Sequence, residues 1–264
     1  DVYRSSLDVT DLRKRVVISG QAAGRFGDIF ALKTDVLGGL VLWGCSRAAA
    51  FISGATDITD ELTAAGIPAS KIHFIPNGVP VDSFASLPER AAARSSLALP
   101  AEAFVAVNVG RQTAQKDLKT LLDAWREFVA ANPDAVLVFV GDGDERQRLE
   151  SLAASWRIGN SVRFEGWKTN IGEYLAAADA FVSSSISEGT HLALGEAMAA
   201  GLPVIATRVG GARDYVRDGE TGILFAVGDS RALTGALTRL AAAPSLRREM
   251  GAKAAPAVRE MLDQ

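Results

Sequence analysis

From about Ala103 onward, short apolar runs rich in β-branched residues alternate with longer segments of helical period. Phe104 to Val109 reads as a buried strand closed by Gly110. A helix from about Asp117 follows, with Leu118, Leu121, Leu122, Trp125, Phe128 and Val129 on one stripe, and it stops before Pro133. The same alternation places further strands at Val136 to Val140, Val162 to Phe164, Ala180 to Val182, Val204 to Ala206 and Ile223 to Phe225. Helices fall between them around Leu149 to Trp156, Ile171 to Ala177, Leu192 to Ala200 and Ala232 to Ala242. Strands apolar on both faces cannot turn either face to water. They belong to a parallel sheet covered by helices on both sides, which is a doubly wound α/β domain.

The first hundred residues carry a weaker version of this pattern. Arg15 to Ser19, Ala49 to Ser53 and Lys71 to Ile75 read as strands. A helix from about Asp57 ends at Gly66, with Thr56 or Asp57 expected as its N-cap. The turn-rich stretch from Pro76 to Pro80 precedes a new helix at about Pro88 to Leu97. Three strands are few for an independent α/β domain. The expected organisation is therefore a partial Rossmann-like domain over residues 1–84, then a complete Rossmann-like domain over residues 85–264. The last segment, from Ser245, is expected to hold a terminal helix interrupted at Pro256.

Composition narrows the function by exclusion. The 28 basic and 31 acidic residues nearly cancel, which does not suit a nucleic-acid binder. A single cysteine, Cys45, cannot form an internal disulfide and fits a reducing, cytoplasmic setting. With only two histidines, His73 and His191, a zinc cluster lacks ligands, so no metal site is expected from them. No apolar run is long enough to span a bilayer. His73, on a strand, reads as structural.

In open parallel sheets ligands bind beyond the carboxyl ends of the strands, and four loops there carry polar residues. The first runs from Gly110 through Arg111 to Lys116, where two cations suit a diphosphate or are simply solvated. The second, Gly141 to Arg146, half-matches a dinucleotide fingerprint. It contains Asp142 and Asp144, which read as a metal-binding pair or as acidic residues at a helix start. The third holds Trp167 and Lys168, with the indole flanking a nucleobase or packed beneath a loop. The fourth, Ser187 to Met198, places Glu188 and Gly189 before a helix that begins near His191, with Glu196 about 1.5 turns inside it. A helix start offers free N–H groups to an anion. Carboxylates on either side of it suit a ligand with hydroxyls at both ends and phosphate between, and a nucleotide sugar has that shape.

The stretch Ser187 to Pro203 (SEGTHLALGEAMAAGLP) resembles the E-x7-E motif of retaining glycosyltransferases of the two-domain GT-B architecture, family 4 or group 1 type. Ile75 to Val79 (IPNGV), Val109 to Lys116 (VGRQTAQK), Val140 to Gly143 (VGDG) and Gly219 to Leu224 (GETGIL) match further blocks of that family in the family's order. The resemblance covers about residues 15–250. It implies that Arg111 and Lys116, beside Gly110, grip the donor diphosphate and that Glu188 faces the donor sugar. Gly189, Thr190, His191 and Leu192 would hold phosphate or sugar at the helix start, Glu196 the ribose hydroxyls, and Trp167 and Lys168 the base. The reaction implied is transfer from a UDP-, GDP- or ADP-sugar to an acceptor hydroxyl with retention, using no metal and no cofactor.

Thr190 and His191 depart from the family, which more often has an apolar or aromatic residue there and then proline or glycine. His191 is thus either a donor contact or a variant helix cap. The family's early glycine-rich loop and acceptor-domain histidine are not found. Ser19–Gly20 and Gly24 to Asp28 are expected to line the cleft. The acceptor is an unspecified sugar, lipid-linked glycan or small molecule, in bacterial polysaccharide or glycoconjugate synthesis. Any peripheral membrane association would come through the missing N-terminal half. Two other readings stand beside this one: a non-catalytic nucleotide-sugar-binding module, and a metal-dependent transferase using Asp142 and Asp144.

Overall fold

The computed structural model describes residues 17–20, 44, 47–84 and 86–262. The expected cleft residues Gly24 to Asp28, and Cys45, lie outside the described residues. Two parallel sheets account for the strands. The smaller contains β1 (Val17–Gly20), β2 (Ala50–Ser53) and β3 (Ile72–Phe74) in that order. Helix α1 (Thr56–Ala64) closes over it, burying Ile58 and Leu62 with Ala48, Phe51, Ala55 and Ile67. His73 is exposed on β3.

The larger sheet has six parallel strands: β4 (Val105–Val109), β5 (Val136–Val140), β6 (Val162–Gly166), β7 (Ala180–Ser183), β8 (Val204–Thr207) and β9 (Gly222–Phe225). Their spatial order is β6-β5-β4-β7-β8-β9. The chain runs outward from β4 to β6, returns to the other side of β4, and runs outward again. The order therefore reverses between β4 and β7, which opens a crevice at their carboxyl ends.

Side chains alternate across this sheet with the two-residue period of a strand. Val105, Val107, Val136, Val138, Phe181, Val204 and Ala206 enter one apolar layer. Ala106, Leu137, Phe139, Ala180, Val182 and Ile205 enter the other. The first layer is covered by α2 (Arg90–Ser96), α5 (Ile171–Ala177), α6 (Leu192–Ala199), α7 (Gly211–Tyr215) and α9 (Pro244–Leu262). The second is covered by α3 (Leu118–Ala131), α4 (Arg146–Ser155) and α8 (Ser230–Ala242). Val79, within the turn-rich stretch, and Val81, just after it, also join the first layer. A buried ionic knot ties α2 to the base of the sheet. Arg94, 1% exposed, donates to the carbonyls of Ala177, Pro100, Ala101 and Ala103 and to Asp179, which also accepts from the Val105 amide.

The structure departs from the sequence reading in three places. Pro256 does not interrupt the last helix, which continues through it to Leu262. Ala254 and Val258, on either side, are fully buried in the first layer, and that packing outweighs the hydrogen bond proline cannot make. The N-cap position of α1 is Ala55, and neither Thr56 nor Asp57 caps it. The capping group comes from the other end of the chain: the Asp214 carboxylate accepts from the Thr56 amide at 3.0 Å and from its hydroxyl at 2.5 Å. The short helix α7 has no counterpart in the sequence reading.

That cap is reciprocated. Asp57 accepts from the Gly210 amide at 2.6 Å, at the start of α7, and from Arg213 at 2.5 Å. Each helix start thus receives a carboxylate from the other helix, and the two sheets are joined through the partial positive charge at both termini.

Candidate functional site

The loops after β4 and β7 meet at the point where strand order reverses. Four hydrogen bonds hold them together. The Ile186 amide donates to Gln115 O at 2.8 Å and the Gln115 amide group to Ser187 O at 2.9 Å. The Ser184 hydroxyl contacts the carbonyls of Lys116 and Asp117 at 3.0 and 2.9 Å. Lys116 ends a single 3-10 turn (Ala114–Lys116), and Asp117 follows in a left-handed conformation, φ 42°. This sharp exit turns the lysine back over the sheet, where Nζ lies 2.5 Å from Glu188 Oε1.

Glu188 is the centre of the site. Besides Lys116, its Oε1 accepts from the Ser185 hydroxyl at 2.6 Å and lies 3.6 Å from His191 Nε2. Burial pushes the Glu188 carboxyl up. The charges of His191 and Lys116 and the hydrogen bonds from Lys116 and Ser185 more than offset that, leaving it below the ordinary carboxylate value. Complete burial drives His191 the other way, down to about 4, so the ring is neutral at physiological pH. His191 precedes α6 but makes no side-chain cap hydrogen bond, and only 4% of the residue is exposed. The ring is therefore not a side-chain cap for α6. Nε2 instead lies 2.8 Å from Ser183 Oγ.

The start of α6 lies at the same crevice, with Gly189 and His191 buried, Thr190 half-buried and Leu192 41% exposed. The loop before it is shaped by α7. Gly210 adopts φ +45°, and a Cβ there would come within 2.0 Å of Glu188 O, so only glycine fits beneath the carboxylate's backbone. The Gly211 amide then donates to Gly189 O at 2.8 Å. Thr190 reaches the smaller sheet, donating to Gly54 O at 2.8 Å and accepting from the Asn77 amide at 3.4 Å.

Glu196 is half-buried on α6, with no hydrogen-bond or ion-pair partner among the described residues, and burial raises its carboxyl pKa. An unsatisfied, partly desolvated carboxylate beside a cleft is a ready acceptor for ligand hydroxyls. Arg111 is exposed, and its guanidinium has no partner among the described residues. Trp167 is 74% exposed, so it does not pack beneath a loop, and Lys168 lies beside it, 3.7 Å from Glu165. The loop after β5 is pinned to that after β4: Gln112 donates to Asp142 O, and its own carbonyl accepts from Glu145. A Cβ on Gly141 would lie 2.0 Å from Gly110 O, which accounts for the glycine that follows β5.

Asp142 is engaged locally, accepting from the Gly143 amide at 2.8 Å and pairing with Arg146 at 3.4 Å. Among the described residues, no three His, Cys, Asp or Glu side chains gather into a group that could hold a metal ion. No described helix is long and apolar enough to cross a membrane.

The sequence reading named Lys116, Glu188 and Glu196; the fold brings Lys116 and Glu188 into contact and adds neighbours that reading did not name. In the fold Ser185 donates to Glu188, and Ser183 bridges Ser185 and His191. The local signal at Asp57 pointed to its own helix and Asp214 carried none, because each acts on a helix distant in sequence.

Solved structures share this architecture. The Anabaena protein HepE, crystallised with UDP, superposes over 96% of this chain and 71% of its own with a TM-score of 0.83 at 24% identity. A sucrose-phosphate synthase from Thermosynechococcus elongatus superposes over 86% of this chain and 58% of its own, with a TM-score of 0.78 at 30% identity. In sequence, a lipopolysaccharide core biosynthesis glycosyltransferase of Rhizobium meliloti is 38% identical over 154 residues, covering 58% of this chain and 44% of the relative. A phosphatidyl-myo-inositol mannosyltransferase of Mycobacterium leprae is 38% identical over 189 residues, covering 70% and 48%. The chain thus spans about half the length of these curated relatives. The model of one family matches residues 89–256, the whole stretch that builds the six-stranded sheet and its crevice, and the chain belongs to that family, the glycosyl transferases group 1.

Proposed function

We propose that this chain carries the donor site of an enzyme that moves a sugar from a nucleoside diphosphate sugar to an acceptor hydroxyl, with retention of anomeric configuration and without a metal. One observation carries the reading: Lys116 and Glu188 meet at the strand-order reversal, beside the start of the helix that carries Glu196, which has no partner among the described residues. As the bond to the anomeric carbon breaks, negative charge builds on the departing oxygen and the other terminal oxygens of the β-phosphate. A lysine has three donors, so Lys116 can stay bonded to Glu188 and still face a phosphate oxygen. The exposed Arg111 and the amides at the start of α6 add fixed positive potential, which matters most where charge develops. Glu196 suits the ribose hydroxyls, Glu188 the hydroxyls of the transferred sugar, and the bare face of Trp167 a nucleobase. The UDP complex of a protein of the same fold and the transferase names of the relatives support this. The acceptor belongs to the polysaccharide, glycolipid or small-molecule class.

The test is Lys116→Ala assayed with UDP-glucose, following UDP release and UDP affinity together. Turnover is expected to fall on the order of a hundredfold or more, as for loss of a preorganised charge-stabilising donor, with UDP affinity falling far less. Turnover that stays intact while affinity collapses would refute the charge-stabilising role. Loss of turnover in excess EDTA would refute the metal-free reading.

A further inference from the structure

Beneath the donor loop, four side chains form a hydrogen-bonded chain whose two ends lie 3.6 Å apart, beyond hydrogen-bond reach. His191 Nε2 lies 2.8 Å from Ser183 Oγ, Ser183 Oγ lies 3.2 Å from Ser185 Oγ, and Ser185 Oγ donates to Glu188 Oε1 at 2.6 Å. All four residues are at least nine-tenths buried, and the Phe181 ring meets the imidazole edge-on, with centroids 6.1 Å apart. No water is needed to close the line.

Counting protons orients it. An ionised carboxylate only accepts, and each serine hydroxyl has one proton to give. Ser185 spends its proton on Glu188. The contact between the serines must then use the proton of Ser183, which leaves none for the ring. Nε2 is therefore the donor to Ser183. His191's own carbonyl also attracts a ring proton, which would favour Nδ1, but that arrangement leaves the contact between the serines without a proton. Buried hydrogen-bond chains are strengthened when every link points the same way.

We propose that His191 is a positioning residue: its neutral ring carries the proton on Nε2 and starts a one-way relay through Ser183 and Ser185 that fixes the Glu188 carboxylate against Lys116. The ring does not touch the donor. It acts through Glu188, so its effect on turnover rests on the function proposed above, whereas the tautomer does not.

The experiment has two arms. In the first, long-range ¹H–¹⁵N spectra of ¹⁵N-labelled protein at neutral pH report which ring nitrogen carries the proton. A His73→Gln variant assigns the signals of the two histidines. A neutral Nε2–H ring at His191 is expected, and an Nδ1–H or doubly protonated ring overturns the relay. In the second, His191→Phe fills the space without a donor, and His191→Gln presents an amide N–H near the position of Nε2. With UDP-glucose, His191→Phe is expected to lose at least about tenfold in kcat with KM within about twofold, and His191→Gln to recover most of the loss. Equal impairment of the two variants, or full turnover by the phenylalanine form, overturns the positioning role. If wild-type protein neither binds nor turns over UDP-glucose, the proposed function fails and the tautomer alone decides the relay.

Discussion

Lys116→Met tests the electrostatics of the site without any ligand. The Lys116 and Glu188 side chains are 18% and 9% exposed, so the pair is largely out of water. Removing one partner of a buried pair leaves the other charge uncompensated, at a cost of about 3–5 kcal/mol. The Ser185 hydroxyl still solvates Glu188, and the lysine is not fully buried, so we expect a loss of about 2–4 kcal/mol. For a chain of this size that lowers the melting temperature by roughly 5–10 °C. The pH dependence sets this apart from a packing defect. In the wild type the Glu188 pKa is held down, so its stabilisation is present above the ordinary carboxylate range and is lost as pH falls through the lowered value. In Lys116→Met, burial acts without the lysine to oppose it, and the carboxyl pKa rises. The penalty should then be largest near neutral pH and shrink below about pH 4, where the group is protonated in both folded and unfolded chains. Thermal or urea unfolding of both proteins from pH 7 down to about pH 2.5 measures this. Adding Glu188→Gln should recover part of the loss at pH 7. A Lys116→Met penalty that is independent of pH and unrelieved by Glu188→Gln would refute the reasoning.

Two other consequences concern the scaffold. Asp214→Ala removes both bonds at the start of α1 and should cost about 1–2 kcal/mol, the range for loss of an N-cap. Combining it with Asp57→Ala should raise susceptibility to limited proteolysis within residues 47–84 while the unfolding of the six-stranded domain stays unchanged, and an intact proteolytic pattern would count against the reciprocal capping. Arg94→Met strands four carbonyls and leaves Asp179 with the weaker partners Arg90 and Arg247. It should cost at least about 3 kcal/mol in denaturant unfolding, and a change below about 1 kcal/mol would show that the knot is not needed to hold α2.

The glycine-punctuated alternation of apolar runs and helical stripes was enough to place all six strands of the large sheet. The reason is that a strand buried on both faces has few compositions open to it. Gly110, Gly141 and Gly189 marked the loops at the carboxyl ends, and the charged residues in those loops marked Lys116, Glu188 and Glu196. That information is local, written within a few residues of each feature. What remained hidden depends on groups brought together from distant parts of the chain. Nothing near Pro256 says that Ala254 and Val258 will be buried deeply enough to carry a helix through a proline. Of the two sequence readings of His191, the side-chain cap is not made: the ring bonds Ser183, which reaches Glu188 only through Ser185. Local periodicity determined the elements and the residue types at the crevice. Packing of the two sheets decided which of those residues meet, because hydrogen bonds and ion pairs between segments more than a hundred residues apart, such as Asp57 to Gly210, depend on three-dimensional distance.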